Sequence, residues 1–141
     1  MRAWQALLHA HEQVVSALDA ELQGRHGLSI AEYDVLLRLA RAPQRSLPMT
    51  EVAERVLMSP SGVTRLVDRL ARRGLVRRQR ASGDGRVVLA VLTPDGLRRL
   101  RRAASTHLEG IYAHFTGRLS ERQLAAVASA LEAITGPHEP H

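Results

Sequence analysis

A mainly α-helical fold with one β-hairpin is predicted by three features of this 141-residue sequence. Apolar residues recur at helical spacing in five or six segments, and capping residues, glycine or proline mark the ends of these segments. Two short β-like runs, 75–80 and 87–92, flank a turn-rich connection suited to a hairpin. No internal repeat interrupts the chain, and its length suits one domain over residues 1–141.

Two helices are predicted in the first third of the chain. Residues 3–23 place apolar side chains at helical spacing, and Gly24 ends this run. Ser29 then begins a capping box with Glu32, in which the side chain of each residue bonds the backbone N–H of the other. The second helix extends from this box to about Ala42, because a proline follows.

The middle of the chain predicts two further helices joined by a tight turn. Thr50 can cap a short third helix that extends to Leu57. Ser59 followed by Pro60 is an N-cap with proline at the first helical position, and it begins a fourth helix. Apolar residues at i, i+3, i+4 and i+7 give this fourth helix one buried face. Gly74 is placed to end it in a left-handed conformation.

Two more helices follow the hairpin. Thr93 and Pro94 repeat the cap-plus-proline signal and open a long fifth helix. Ser120 forms a second capping box with Gln123, and the last helix ends before a Gly-Pro pair. The middle elements follow the order of a winged helix-turn-helix: helix, tight turn, helix and β-hairpin. We therefore predict a winged helix-turn-helix lobe over residues 29–93.

The positive charge of the chain lies in one segment. The sequence contains 20 arginines, no lysine and 14 acidic residues, which gives a net charge of +6. Residues 61–86 carry eight of the arginines and two aspartates, so this segment accounts for the whole excess. A concentrated basic segment is expected of a surface that binds a polyanion, although a solvated arginine-rich face has the same composition.

Composition and missing motifs exclude several classes of protein. The sequence contains no cysteine, which excludes disulfides, thiolate metal sites and cysteine-based redox chemistry. Its longest apolar run is too short to span a bilayer, and charged residues stand where a signal peptide would be apolar. We therefore expect a cytoplasmic protein that has no membrane partner. Phosphate loops, nucleophile elbows and metal-spaced His/Glu pairs are missing, so we predict neither an enzyme nor a cofactor.

The polar face of the fourth helix and the hairpin together suit DNA. Ser61 and Thr64 can bond phosphates, while Arg65 and Arg69 can contact phosphates or guanine in the major groove. An amphipathic core helix with a solvated charged face is the alternative for this helix taken alone. The hairpin places Arg86 on a narrow projecting loop that fits the minor groove. The predicted DNA-binding residues are Ser59, Ser61, Thr64, Arg65, Arg69, Arg72, Arg77, Arg80, Asp84 and Arg86.

Two stretches of the sequence resemble motifs of one protein family. The first is Asp84-x-Arg86, followed by five residues and then Leu92-Thr93-Pro94. The second comprises residues 61–70 together with residues 73–76. The first is similar to the wing signature of the MarR family of bacterial transcription regulators, and the second to the recognition helix of that family and its exit. The flanking helices also fit in number and order, so the resemblance covers nearly the full chain.

The resemblance implies a homodimeric regulator that binds double-stranded DNA, usually a repressor and often released from DNA by a small ligand. It also implies that Arg86 is the minor-groove residue and Asp84 its positioning partner, which we expect to orient a neighbouring arginine by ion pairing. A two-fold dimer would present its recognition helices to major grooves about 34 Å apart, which predicts a palindromic operator. A winged-helix module that binds proteins instead of DNA is the alternative, although eight arginines argue against it.

The terminal helices, 1–24 and 94–136, are predicted to form the dimer. They carry apolar stripes of near-heptad spacing that a small winged lobe cannot fully cover. The alternative is that these stripes fold back on the same chain. The predicted interface residues are Leu7, Leu108, Ile111, Leu124, Val127 and Leu131.

The aromatic residues suggest where a ligand would bind. All of them lie outside residues 43–92, on helices that would join the dimer and DNA-binding regions, and in the family that this chain resembles aromatic acids or phenols often bind there. Core and interface packing is the alternative. The candidate ligand-binding residues are Trp4, His11, Tyr33, Asp34 and Tyr112. Of the seven histidines, His9 and His11 are two apart and His107 and His114 seven apart, whereas ligands on one helix face are normally three or four apart. His138 and His141 are three apart but lie in the tail after the last predicted helix, so we predict no metal site.

Overall fold

The computed structural model describes residues 1–56 and 58–137. Within this part of the chain, six α-helices and three strands are formed: α1 (Arg2–His26), α2 (Ile30–Arg41), β1 (Ser46–Pro48), α3 (Met49–Arg55), α4 (Pro60–Arg72), β2 (Val76–Ala81), β3 (Asp84–Leu92), α5 (Pro94–His114) and α6 (Glu121–Thr135). Single turns of 3-10 helix, Pro43–Arg45 and Thr116–Arg118, precede β1 and α6. The predicted mainly α fold with a winged helix-turn-helix is therefore confirmed.

Four of the six helix starts are those that the capping signals predict. Ser29 accepts the N–H of Glu32 at 3.0 Å, and the Glu32 carboxylate accepts the N–H of Ser29 at 2.9 Å, which completes the capping box. Ser59, Thr93 and Ser120 each accept a backbone N–H three residues later. These side-chain acceptors satisfy donors that a helix leaves free in its first turn, so the sequence determines where these helices begin.

Three local predictions are wrong. Gly24 does not end α1, which continues to His26 and is capped by Gly27 in the left-handed conformation. Thr50 caps nothing, because α3 begins one residue earlier, at Met49, with Pro48 in the cap position and no side-chain hydrogen bond. The predicted end of that helix, Leu57, lies outside the described residues. The connection between the hairpin strands is shorter than predicted, because β3 begins at Asp84, and only Ser82 and Gly83 form the turn.

The sheet is antiparallel, with the strand order β1-β3-β2. β2 pairs with β3 from Val76 opposite Leu92, and an irregularity follows Arg80 near the turn. The strand that was not predicted, β1, pairs with the opposite edge of β3, at 89–91, which is the end of β3 away from the turn. Two strands alone make a marginal hairpin, and the third strand fixes the base of this one. Beyond Leu89 the hairpin continues as a two-stranded ribbon, which we call the wing.

The core lies between α2, α3, α4 and the sheet, and α1 and α5 close it. Leucine and valine supply most of it. Fully or almost fully buried residues are Leu22, Leu28, Val35, Leu36, Leu39, Val52, Val63, Leu66, Val67, Leu70, Val76 and Ala90. Because Leu100 and Ala103 of α5 belong to the same cluster, the long helix is packed against the DNA-binding lobe instead of standing apart from it.

The start of α5 packs tightly against the strand end. Thr93 donates its hydroxyl to the carbonyl of Gly74 at 2.6 Å and accepts the N–H of Gly96 at 3.0 Å. Gly96 is buried, and a Cβ at this position would overlap the carbonyl oxygen of Leu75 and lie 2.7 Å from a methyl group of Leu92. Only glycine therefore fits at position 96 without a shift of the backbone.

We expect Gly96→Ala to lower the free energy of unfolding by about 2 kcal/mol, because the added methyl group must displace backbone from a packed site. Denaturant titration followed by circular dichroism measures the loss. Gly85→Ala is the matched control, since a Cβ at Gly85 meets nothing within 4 Å. Equal unfolding midpoints for the two variants would contradict the close packing at Gly96.

Apolar surface remains exposed on the terminal helices. Within the described residues α6 buries none of its side chains, although a capping box defines its start. Ile134 is 77% exposed, and Tyr112 and Leu108 on α5 are 68% and 66% exposed. Trp4, Leu7 and Leu8 near the start of α1 are exposed as well. Large apolar side chains exposed on three helices are typical of a surface that binds another molecule.

Candidate nucleic-acid interface

Helix α4 separates its apolar and polar faces cleanly. Its apolar side chains, Val63, Leu66, Val67 and Leu70, are at most 1% exposed and hold the helix against the core. Its outer face carries Ser61, Thr64, Arg65, Arg69 and Arg72, all of them exposed. The N-terminal end of α4 is open to solvent around Ser59 and Ser61, so its free N–H groups can meet an anion.

The arginines of the basic segment fall into two groups. Arg73 and Arg78 are paired: Arg73 lies 3.3 Å from the Glu32 carboxylate and Arg78 lies 2.9 Å from the Asp68 carboxylate. The second group forms no ion pair with any other described residue. It consists of Arg65, Arg69, Arg72, Arg77, Arg80 and Arg86. All six are exposed, on α4 or on the hairpin, and all six are in the predicted DNA-binding set.

The wing tip differs from the prediction in one respect. Asp84 makes no ion pair with an arginine in the described structure; its Oδ1 accepts the backbone N–H of Arg86 at 3.0 Å. The carboxylate therefore shapes the turn and fixes the backbone of Arg86, while the guanidinium remains in solvent. Ion pairing was the wrong mechanism because a side chain two residues away reaches the backbone N–H more easily than the end of a long side chain.

A groove lies between α2 and α5, with a volume of about 690 Å³. Its walls are mostly apolar, and four polar side chains lie among them: Tyr33, Asp34, Arg41 and His107. The lining residues are Ile30, Ala31, Tyr33, Asp34, Leu37, Arg41, Ala104, His107, Leu108 and Ile111. An apolar groove with a few polar groups is typical of a site for a small organic molecule.

The groove brings together only part of the predicted ligand set, which stays a prediction. Tyr33 and Asp34 line it, whereas Trp4, His11 and Tyr112 do not. Trp4 and Tyr112 are instead exposed on the outer surface. Arg41 and His107 line the groove as well, although the positions of the aromatic residues in the sequence do not point to them. Leu108 and Ile111, predicted for the dimer interface, form part of a groove wall.

His107 is the most unusual polar residue of the groove. Its ring lies 4.6 Å from the ring of Tyr33, centre to centre, and in the described part of the chain its Nδ1 is buried without a hydrogen-bond partner. Burial lowers the pKa of His107, and the nearby Asp34 partly opposes this effect. Burial also raises the pKa of Tyr33. A neutral imidazole can donate a hydrogen bond from one ring nitrogen and accept one at the other, so His107 adds a polar group to a mostly apolar wall.

The described residues contain neither a candidate membrane span nor a candidate metal-binding group. No helix among them is both long and apolar enough to cross a membrane. No three histidine, aspartate or glutamate residues in the described ranges come together as a metal-binding group. Two further histidines, His138 and His141, lie outside these ranges.

The fold and the exposed arginines together define a winged helix-turn-helix protein with a surface suited to DNA. A family model described as "MarR family" matches residues 26–87. The HTH-type transcriptional regulator YkoM of Bacillus subtilis, itself described as uncharacterized, is 30% identical over 117 residues, which cover 82% of this chain and 73% of YkoM. The chain therefore belongs to the MarR family of transcriptional regulators, as the resemblance of its wing and fourth helix predicted.

Solved structures of the family have the same fold. Sco3205 of Streptomyces coelicolor, a MarR family regulator in complex with DNA, is 30% identical and has a TM-score of 0.89 over 98% of this chain and 87% of that one. AbsC of Streptomyces coelicolor is 28% identical, with a TM-score of 0.88 over 94% of this chain and 89% of that one. The chain spans about six-tenths of the length of two curated relatives in Escherichia coli, PapX and PrsX, at 61% and 60%.

Proposed function

We propose that this protein is a homodimeric repressor that binds a palindromic operator in double-stranded DNA through residues 29–93. The observation that carries the proposal is the group of six exposed arginines without ion pairs, which extends from α4 onto the hairpin. Arginines of α4 would contact the major groove and phosphates, while Arg86 at the wing tip would enter the minor groove. The structure of Sco3205, which is a complex with DNA, supports this proposal.

The exposed terminal helices support a dimer. A second copy of residues 1–24 and 94–136 would cover the apolar stripe of α6, where Leu131 and Ile134 are 38% and 77% exposed. Sequence-specific DNA binding also favours a dimer, because one recognition helix reads too few base pairs for a specific site. Two-fold symmetry would place both recognition helices on the same side of the duplex.

Selection from a random pool of duplexes, about three helical turns long, tests the proposed function. We expect the bound fraction to contain an inverted repeat whose half-sites are centred about 10 base pairs apart. A promoter that carries the selected duplex should then be silenced when the protein is co-expressed. A protein-binding module predicts a different outcome: weak, salt-sensitive retention without any enriched sequence, which would contradict the proposal.

The groove between α2 and α5 is the proposed effector site. An aromatic carboxylate fits its chemistry: the ring would lie against Leu37, Leu108 and Ile111, and the carboxylate would reach Arg41 and His107. Because α2 belongs to the DNA-binding lobe and α5 carries the exposed apolar surface, a ligand held between these helices would change how the two recognition helices are spaced.

Benzoate is a suitable probe for this site. We expect it to weaken operator binding by the wild type, and we expect Arg41→Ala to raise the required benzoate concentration about tenfold, because a charged hydrogen bond is lost. Fluorescence anisotropy of the operator measures both effects. Arg122→Ala, which removes an equal charge from an exposed position on α6, is the control. An unchanged benzoate response in Arg41→Ala would place the effector elsewhere.

A further inference from the structure

Two side chains connect the wing to the recognition helix. Arg78 lies on β2, and its Nη2 is 2.9 Å from Oδ1 of Asp68 on α4. The same nitrogen donates a hydrogen bond of 3.3 Å to the carbonyl oxygen of Thr64. Thr64 and Asp68 are one helical turn apart, so one guanidinium contacts two successive turns of the same face. We call Asp68, Arg78 and the Thr64 carbonyl the wing clamp.

The wing clamp lies where the wing leaves the sheet. Arg78 pairs with Ala90 of β3, and β1 pairs with β3 at 89–91, so three strands are present at this level. Two residues further toward the tip, at Arg80 opposite Val88, the hairpin has only two strands. A two-stranded ribbon without further packing is marginally stable, so contacts at its base determine its direction relative to α4.

The charge of Asp68 is unfavourable for direct contact with DNA. It is one of the two acidic residues in the basic segment 61–86, and it lies on the same helix as Arg65, Arg69 and Arg72. A carboxylate at this place weakens the attraction of phosphates. Its partly exposed ion pair also adds little to stability by itself, because solvent screens such pairs. Neither DNA contact nor stability therefore accounts for Asp68.

We propose that Asp68 and Arg78 are positioning residues: they hold the wing at the angle from which Arg86 and α4 contact the same duplex. This inference rests on the proposed function, since it needs a specific operator. It assigns Arg78 to a different role from Arg77 and Arg80, its neighbours on β2, which form no ion pair within the described residues. The rigid link restricts the wing before DNA arrives, so less conformational entropy is lost on binding.

Asp68→Asn separates positioning from charge, because the two effects have opposite signs. By charge alone, removal of the carboxylate tightens binding to every duplex. Loss of the wing clamp instead weakens binding to the selected operator, on the order of fivefold, while binding to a scrambled duplex stays equal or tightens. Fluorescence anisotropy with both duplexes at one salt concentration measures the ratio. Asp95→Asn makes the same change of charge at the start of α5 and should leave the ratio unchanged.

Arg78→Met tests the other half of the clamp. A positioning role predicts a lower operator affinity with an unchanged slope of log Kd against log salt concentration, because no phosphate contact is lost. A direct phosphate contact would lower the slope by about one for each wing and would overturn the assignment. The double variant D68N/R78M should bind the operator no more weakly than Arg78→Met alone, since either change breaks the same contact.

The outcomes distinguish the clamp from the proposed function. If the wild type enriches no duplex, the proposed function is wrong. If the wild type enriches an operator and Asp68→Asn binds it as tightly as the wild type, the clamp is wrong and the proposed function stands. Thermal unfolding first shows that each variant is folded. If Arg78→Met does not fold, Arg78→Lys is used in its place. Lysine keeps the charge but lacks the planar guanidinium fork, so we expect the same loss of operator affinity.

Discussion

Replacing Leu131 by glutamate is expected to produce a monomer that binds the operator about a hundredfold or more weakly, because the two half-sites are then no longer held together. Leu131 lies in the apolar stripe of α6, which includes Leu124, Val127 and Ile134, and no residue of this helix is buried within the described chain. A second copy is the partner that we propose for this stripe. A carboxylate buried without a partner there would strongly oppose association.

Sedimentation measures the mass, and anisotropy with the selected duplex measures the affinity. Ser129→Glu is the matched control: Ser129 is exposed on the same helix, about half a turn around from the apolar stripe, and its substitution introduces an equal charge. This control should remain a dimer with the operator affinity of the wild type. A dimeric Leu131→Glu protein would show that α6 lies outside the interface and that its apolar stripe has another partner.

The helix starts could be predicted from the sequence because capping is local. Ser29 and Glu32 interact with each other's backbone over three residues, so the pattern contains the whole interaction. The polar face of α4 could be predicted for a similar reason, since the spacing of its apolar residues determines which side is buried. Because sequence patterns are local, β1 was not predicted. Three residues, Ser46–Pro48, carry no pattern, and their pairing with β3 joins segments more than 40 residues apart.

The groove could not be predicted because its members come from distant parts of the chain. Arg41 ends α2 and His107 lies in the middle of α5, and neither residue has a local motif that connects it with the other. Only the aromatic chemistry of Trp4 suggests a role in a ligand site. Trp4 precedes Leu22, the buried contact of α1 with the core, by 18 residues, or roughly 27 Å of helix. A residue type can suggest a ligand site, but only the packing of the helices determines which side chains meet.

Arg86→Ala is expected to weaken operator binding about thirtyfold, because a dimer has two wings and each loses one arginine from the minor groove. The guanidinium of Arg86 is exposed and forms no ion pair with another described residue, while Asp84 holds its backbone at 3.0 Å. The wing therefore keeps its shape in this variant, and only the charged end of the side chain is lost. Anisotropy titration with the selected duplex at constant salt measures the loss.

The base preference of Arg86→Ala is a second test of the role of Arg86. A narrow, A·T-rich minor groove has the most negative potential, so the wild type should prefer duplexes with A·T pairs at the positions that the wings reach. Arg86→Ala should lose this preference and keep the half-site sequence that α4 reads in the major groove. Arg122→Ala, with an equal change of charge on α6, should keep both. If Arg86→Ala retained the A·T preference, another arginine of the hairpin, such as Arg80, would be the minor-groove residue.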